Sequence, residues 1–203
     1  MTTLFLDLAS RHQYFALVSG ERTIGRKAMD DHTAEEQLLP AIESLLHERN
    51  LGYADLARMA VNLGPGGFMS LRVGVSIANA LSFGLSLPSA GIHGSDLWGR
   101  RAQAHGRFVW LHSTKREQLF VRGFGEQETT WPKPHLITLA ELCEKLPHDC
   151  DYVGELIPEH AQQLRPRALL ENIRTTEDVL PGLLRTLPYQ KGQILLPWYG
   201  REW

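Results

Sequence analysis

The segment Gly64-Pro65-Gly66-Gly67-Phe68-Met69-Ser70-Leu71-Arg72-Val73-Gly74 constrains the fold of this chain more than any other. Arg58 to Leu63 ahead of it reads as a buried strand, Gly64 to Gly67 as a turn, and Ser70 to Leu85 as a helix. Pro88 to Ile92 returns as a strand, so the three elements form a crossover packed on a sheet, and the chain belongs to the α/β class. The turn has two readings. Glycines permit positive φ and close backbone approach, and free amides at a helix start can hold an anion. A phosphate site is one reading; a tight turn whose glycines serve packing is the other. The spacing is not Gly-x-Gly-x-x-Gly, and no Lys-Ser/Thr follows the glycines as in a P-loop.

The helix after the turn carries Gly74, Ala78 and Ser82 at steps of four, a stripe of small residues. Leu71, Val75 and Leu85 flank it, and Ile77 and Leu81 widen the apolar surface. So apolar a helix must be covered on most of its circumference. Its own sheet covers one side. The other side is covered either by a partner helix or by the rest of a buried core.

Upstream, Leu4 to Leu8, Tyr14 to Ser19 and Arg22 to Met29 read as an antiparallel meander, with Ser19 to Arg22 as a hairpin turn. Thr33 and Glu36 have the spacing of a capping box. Leu38, Ile42, Leu45 and Leu46 then share a helical face that runs to Arg49. Pro40 suits the first turn of that helix and is awkward further in. Downstream, Phe108 to His112, Gln118 to Phe124 and Tyr152 to Gly154 read as strands, Leu139 to Leu146 and Thr176 to Leu187 as helices. The polar stretch Arg100 to Gly106 is the expected domain boundary.

The chain's 203 residues suffice for one large domain or two small ones. Its net charge of -2 gives no global field for nucleic acid, so direct nucleic-acid binding by this chain alone is not favoured. No run of about 18 apolar residues predicts a membrane-spanning helix. The opening Met1-Thr2-Thr3-Leu4-Phe5-Leu6-Asp7 lacks the basic start and long apolar run of a signal peptide. Cys143 and Cys150, with no second pair, make a poor zinc site and read as reduced thiols. A cytoplasmic protein is expected.

The glycine segment resembles the signature of the bacterial TsaB family (also called YeaZ), Gly-Pro-Gly-Ser-Phe-Thr-Gly-Leu-Arg-Val-Gly. Gly64, Pro65, Gly66, Phe68, Leu71, Arg72, Val73 and Gly74 match it; Gly67, Met69 and Ser70 depart. Leu6-Asp7-Leu8-Ala9, Gln37 to Ile42, Tyr152-Val153-Gly154, Glu177 to Pro181 and Pro197-Trp198-Tyr199-Gly200-Arg201 are similar to further family segments. The resemblance implies an actin/Hsp70-like ATPase fold with RNase H-like topology in two lobes. It places an N-terminal lobe at 1–103, completed by the C-terminal segment, and a smaller degenerate lobe at 104–195. It implies a non-catalytic partner and activator of TsaD, the paralogue that forms threonylcarbamoyladenosine on tRNA. TsaE joins that complex, and tRNA is reached only through it. Leu71, Gly74, Val75, Ala78 and Leu81 are then expected at the TsaD interface. An exposed apolar helix seeks cover, so the chain alone is expected to pair with itself.

The alternative is a small actin-like ATPase or kinase using Asp7 and the Gly64–Gly67 turn. Such an enzyme needs acids in both lobes to place a metal. At His112-Ser113-Thr114-Lys115, which resembles the family's Asp-Ala-Arg, Ser113 stands in place of the acid. Leu8 stands where a hydroxyl would help hold phosphate. Neither a catalytic residue nor a metal site is expected, and no cofactor in the isolated chain. ATP or ADP at an interface of the complex is left open. Asp7 has a second reading as a sheet-end acid bonded to nearby amides. Arg72 either pairs with an acid on the partner or fixes the helix start internally.

Overall fold

A computed structural model of the chain describes residues 1–29, 34–115, 117–165 and 167–200. It divides into two compact units. The first comprises Met1–Gly94 and Thr176–Tyr199; the second comprises Ser95–Thr175 with Gly200.

The first unit is built on a five-stranded sheet of β1 (Thr2–Asp7), β2 (Tyr14–Ser19), β3 (Arg22–Ala28), β4 (Leu56–Asn62) and β5 (Ser89–Ile92), in the order β3-β2-β1-β4-β5. The meander β1–β3 is antiparallel, whereas β4 and β5 join β1 in parallel. β1 is buried along its whole length, as a central strand covered on both faces must be. Strand alternation sorts its residues. Leu4 and Leu6 share a core with Phe15, Leu17, Met59 and Val61 beneath α1 (Leu38–His47) and α2 (Phe68–Gly84). α6 (Thr176–Arg185) packs on β2 and β3, and Arg26 pairs with Glu177 at 3.0 Å. In α1, Leu38, Ile42, Leu45 and Leu46 are buried at helical spacing, and Pro40 stands in its first turn. The expected cap at Thr33 lies outside the described residues.

The second unit repeats the pattern in reduced form. β6 (Phe108–Lys115), β7 (Gln118–Phe124), β8 (His135–Thr138) and β9 (Tyr152–Glu155) lie in the order β8-β7-β6-β9, antiparallel except for β6 with β9. Val109, Leu111, Leu119 and Val121 form its core with Trp131 and with Leu139, Leu142 and Leu146 from and beside α4 (Leu139–Lys145). The Thr138 hydroxyl accepts from the Glu141 amide at 3.2 Å and starts that helix. α5 (Pro158–Gln163) opens on a proline, whose missing N–H is not needed there. Cys143 and Cys150 are free thiols, and burial pushes the Cys150 thiol up.

Three elements were not legible in the sequence: α3 (Gly94–Ala102), β8 and α5. The expected boundaries at 103/104 and 195 differ from the observed ones at 94/95 and 175/176. At the first, Arg122 of β7 bonds Ser95 at 2.8 Å and Asp96 at 2.7 Å, tying most of α3 to the second unit. At the second, α6 closes the first unit's sheet.

Candidate functional site

Asp7, Asn62 and the glycine turn meet at one end of the first sheet, because β1 and β4 run parallel and side by side. Asp7 is fully buried, and its Oδ1 accepts from the amides of Ala9 (3.1 Å) and Ser10 (3.0 Å) and from Asn62 Nδ2 (3.0 Å). The Ser10 hydroxyl donates to Oδ2 at 2.8 Å. Burial raises the Asp7 pKa above the usual 3.8; the bonds from Ser10, Asn62 and Ala9 pull the other way. Asn62 Oδ1 accepts from the Gly64 amide at 3.0 Å. The acid therefore acts through Asn62 to hold the turn.

The space over the glycines is filled by the chain itself. A Cβ on Gly66 would stand 2.3 Å from the carbonyl oxygen of Ala9. Gly64, joined to Pro65 by a cis peptide, lies against the Leu71 side chain and the Trp198 carbonyl. Trp198 in turn donates its amide to Leu63 at 2.7 Å and sets its ring edge-on to His93, 4.4 Å between centroids. This geometry fits the packing reading of the turn. Phe68 begins α2 with its ring 5.2 Å from that of Tyr199, and the Arg72 guanidinium lies over Phe68 at 5.3 Å. The internal contact of Arg72 is thus with the ring one turn back.

α2 presents two faces, and the residues expected at a partner interface lie on the inward one. Leu71, Gly74, Val75 and Ala78 are buried in the first unit's own core, and Leu81 is half-buried against it. The small stripe lets the helix sit close to its sheet: a Cβ on Gly74 would be 3.2 Å from Leu8 Cβ. The outward face carries Phe68 (58 % exposed), Met69 (59 %), Arg72, Ser76, Ala80 and Phe83 (88 %). Beside it runs the strap 193–199. Asn79 of α2 clamps Leu195 by both backbone groups, each at 2.9 Å. The flanking Ile194 (78 %) and Leu196 (63 %) are left exposed. A helical wheel centred on Phe68, Arg72, Ser76 and Phe83 contains this face; the strap has no periodic signal and was missed.

In the second unit, the Ser113 hydroxyl accepts from the Ile157 amide at 3.0 Å and meets His160 Nδ1 at 2.9 Å. The hydroxyl keeps its proton and a second lone pair for this contact, so its direction follows the tautomer of the imidazole. His160 is buried, a satisfied core histidine at the start of α5. Its neighbour His112 stands 3.9 Å from the Glu155 carboxylate, and burial lowers its pKa from 6.5 to about 4. Among the described residues, no group of three His, Cys, Asp or Glu is arranged to hold a metal ion, and no helix is long and apolar enough to cross a membrane.

Comparison with known proteins agrees on one family. The family model described as TsaD: tRNA N6-adenosine threonylcarbamoyltransferase matches residues 25–149, more than half of the chain. The tRNA threonylcarbamoyladenosine biosynthesis protein TsaB of Haemophilus influenzae is 38 % identical over 90 residues, 43 % of this chain and 37 % of that one. The Bacillus subtilis protein of the same name is 33 % identical over 95 residues, covering 45 % and 41 %. A tRNA N6-adenosine threonylcarbamoyltransferase of Halalkalibacterium halodurans is 41 % identical over 58 residues, covering 29 % and 17 %. The matched stretches thus span well under two thirds of each relative. Two solved Pseudomonas aeruginosa structures, YeaZ and an uncharacterized protein with similarity to peptidase YEAZ, each align at a TM-score of 0.72 over 98 % of this chain and 99 % of theirs. At 19 % and 20 % identity they speak for the fold, α/β with two mixed sheets; together with the family match it is of the actin/Hsp70-like ATPase type. The chain belongs to the TsaD family and, within it, resembles the TsaB proteins.

Proposed function

We propose that this chain is a non-catalytic partner and activator of a TsaD-type protein in forming threonylcarbamoyladenosine on tRNA. The observation that carries the reading is the outward face of α2 with its strap. Phe68, Met69, Phe83, Ile194 and Leu196 project from one helix and the segment clamped to it. A contiguous exposed apolar surface rimmed by polar residues is the mark of a docking site. Covering each side chain contributes about 1.5–3 kcal/mol. Five together supply on the order of 10 kcal/mol before the cost of association, enough for a specific pairing. The interface moves from Leu71, Gly74, Val75 and Ala78 to the opposite side of the same helix.

Asp7 is closed off from solvent and bonded by four donors, and the turn beneath it is lined by Ala9. These contacts support a structural use of the elements that an ATPase reading would need. In this proposal TsaE joins the assembly, nucleotide sits at an interface of the complex, and tRNA is reached through the complex in the cytoplasm. A homodimer through the α2 face forms when TsaD is absent. Reconstitution with the TsaD-type and TsaE-type proteins of the same cell tests the role. Modified tRNA is expected to form only when this chain is added, and the chain alone is expected not to hydrolyse ATP. Unchanged modification without the chain contradicts the activator role, and ATP turnover by the chain alone contradicts the non-catalytic one.

A further inference from the structure

At the other end of the first unit's sheet, away from Asp7, lies a pocket of about 280 Å³ lined by Thr3, Val18, Glu21, Arg58, Leu184 and Arg185, among others. Arg58 enters it from β4. Its guanidinium lies over the Tyr189 ring at 4.4 Å, and its buried Nε has no hydrogen-bond acceptor. The other arginine that lines the pocket, Arg185, pairs with Glu21 at 2.7 Å. Among the described residues no carboxylate comes within ion-pair distance of Arg58. A guanidinium is a fixed fork of donors, always charged, and buried donors are found paired. Stacking on an aromatic ring holds such a fork in place and leaves its edge for an acceptor.

We propose that this pocket binds a small oxyanion, a carboxylate or phosphate group, through Arg58. The volume lies just below the range of most small-molecule sites, which limits the ligand to a few heavy atoms beyond that group. Glu21 on the rim disfavours the anion and pairs with Arg185, the other arginine of the lining. Neither residue belongs to the docking face of α2.

The test titrates the whole chain with inorganic phosphate and, separately, with acetate, at constant ionic strength. The side-chain Nε–H resonance of Arg58 is followed by NMR, and affinity is measured by calorimetry. A saturable shift with at least one anion is expected, and the anion that saturates first identifies the oxyanion. Arg58→Gln is expected to weaken binding about tenfold, the loss of a charge-assisted contact. Glu21→Gln, at an exposed position, is expected to tighten it. A linear response to both anions overturns the proposal, as does equal affinity in the wild type and Glu21→Gln. Where Arg58→Gln does not fold, the resonance titration and Glu21→Gln decide.

Discussion

The two units share a strand order and differ in the turn and helix attached to it. β3-β2-β1-β4 and β8-β7-β6-β9 are the same arrangement of three antiparallel strands and one parallel addition. After β4 the first unit turns through Gly64–Gly67 into the 17 residues of α2; after β9 the second passes through Leu156 and Ile157 into the 6 residues of α5. Where the first unit places a buried acid, Asp7, at the end of its central strand, β6 ends near Ser113, bonded to His160 and Ile157. A repeated sheet thus does not carry a repeated function. The long outward face, on which the proposed pairing depends, belongs to α2 of the first unit, whereas α4 and α5 of the second have 7 and 6 residues.

The largest expected effect separates the two faces of that helix. Ala78 is fully buried, so Ala78→Arg places an unpaired charge in the core, costs about 4 kcal/mol or more, and unfolds the first unit. Phe83→Arg on the outward face is expected to change stability by less than about 0.5 kcal/mol. Chemical denaturation of both variants compares them; equal stability breaks the assignment of faces. Next come two glycines, one in the turn after β4 and one within β9. Gly66→Ala meets the backbone of Ala9 at 2.3 Å, and Gly154→Ala meets the Leu111 carbonyl oxygen at a still closer 2.0 Å with φ at +124°. Each is expected to lose about 2–3 kcal/mol, read from denaturation midpoints.

Acid distinguishes the units by sign. His112 of the second unit protonates near pH 4 when folded and near 6.5 when unfolded, so the unfolded chain binds more protons between these values. Its contribution is fully present above pH 6.5 and falls by up to about 3 kcal/mol as pH drops to about 4. His112→Gln is expected to flatten that slope in thermal melts. Asp7 of the first unit works oppositely. Its folded pKa is raised above 3.8, so the folded chain binds more protons in that window. Its contribution to stability then falls as pH rises through the folded pKa. The stability of the wild type minus that of Asp7→Asn is expected to decline with rising pH there; a rising difference contradicts the burial account.

Much of the first unit was legible because burial there keeps to regular periods. The meander, α1, β4, α2 and β5 each carry a clean strand or helix pattern, and the Gly64 segment marks the turn. Burial direction within α2 was not legible. Gly74, Ala78 and Ser82 are as suited to a close helix–sheet contact as to a close helix–helix contact, and only tertiary structure separates them. α3 was missed because Gly94 and Gly99 weaken its helical signal. Gly99 is small because the Phe124 ring occupies the place of its side chain, 2.3 Å from a Cβ there. The strap was missed for another reason: its clamp is one side chain, Asn79, bonded to a residue 116 positions away.

The central claim is that the outward face of α2, and not the second unit, docks the TsaD-type partner. The most direct measurement is the affinity of the purified chain for the TsaD-type protein of the same cell, by calorimetry, for the wild type, Phe83→Arg, and Leu169→Arg on the exposed surface of the second unit. Phe83→Arg is expected to weaken binding at least about thirtyfold, the loss of about 2 kcal/mol at a buried anchor, while Leu169→Arg leaves it unchanged. Full affinity in Phe83→Arg, or an equal loss in both variants, contradicts the account.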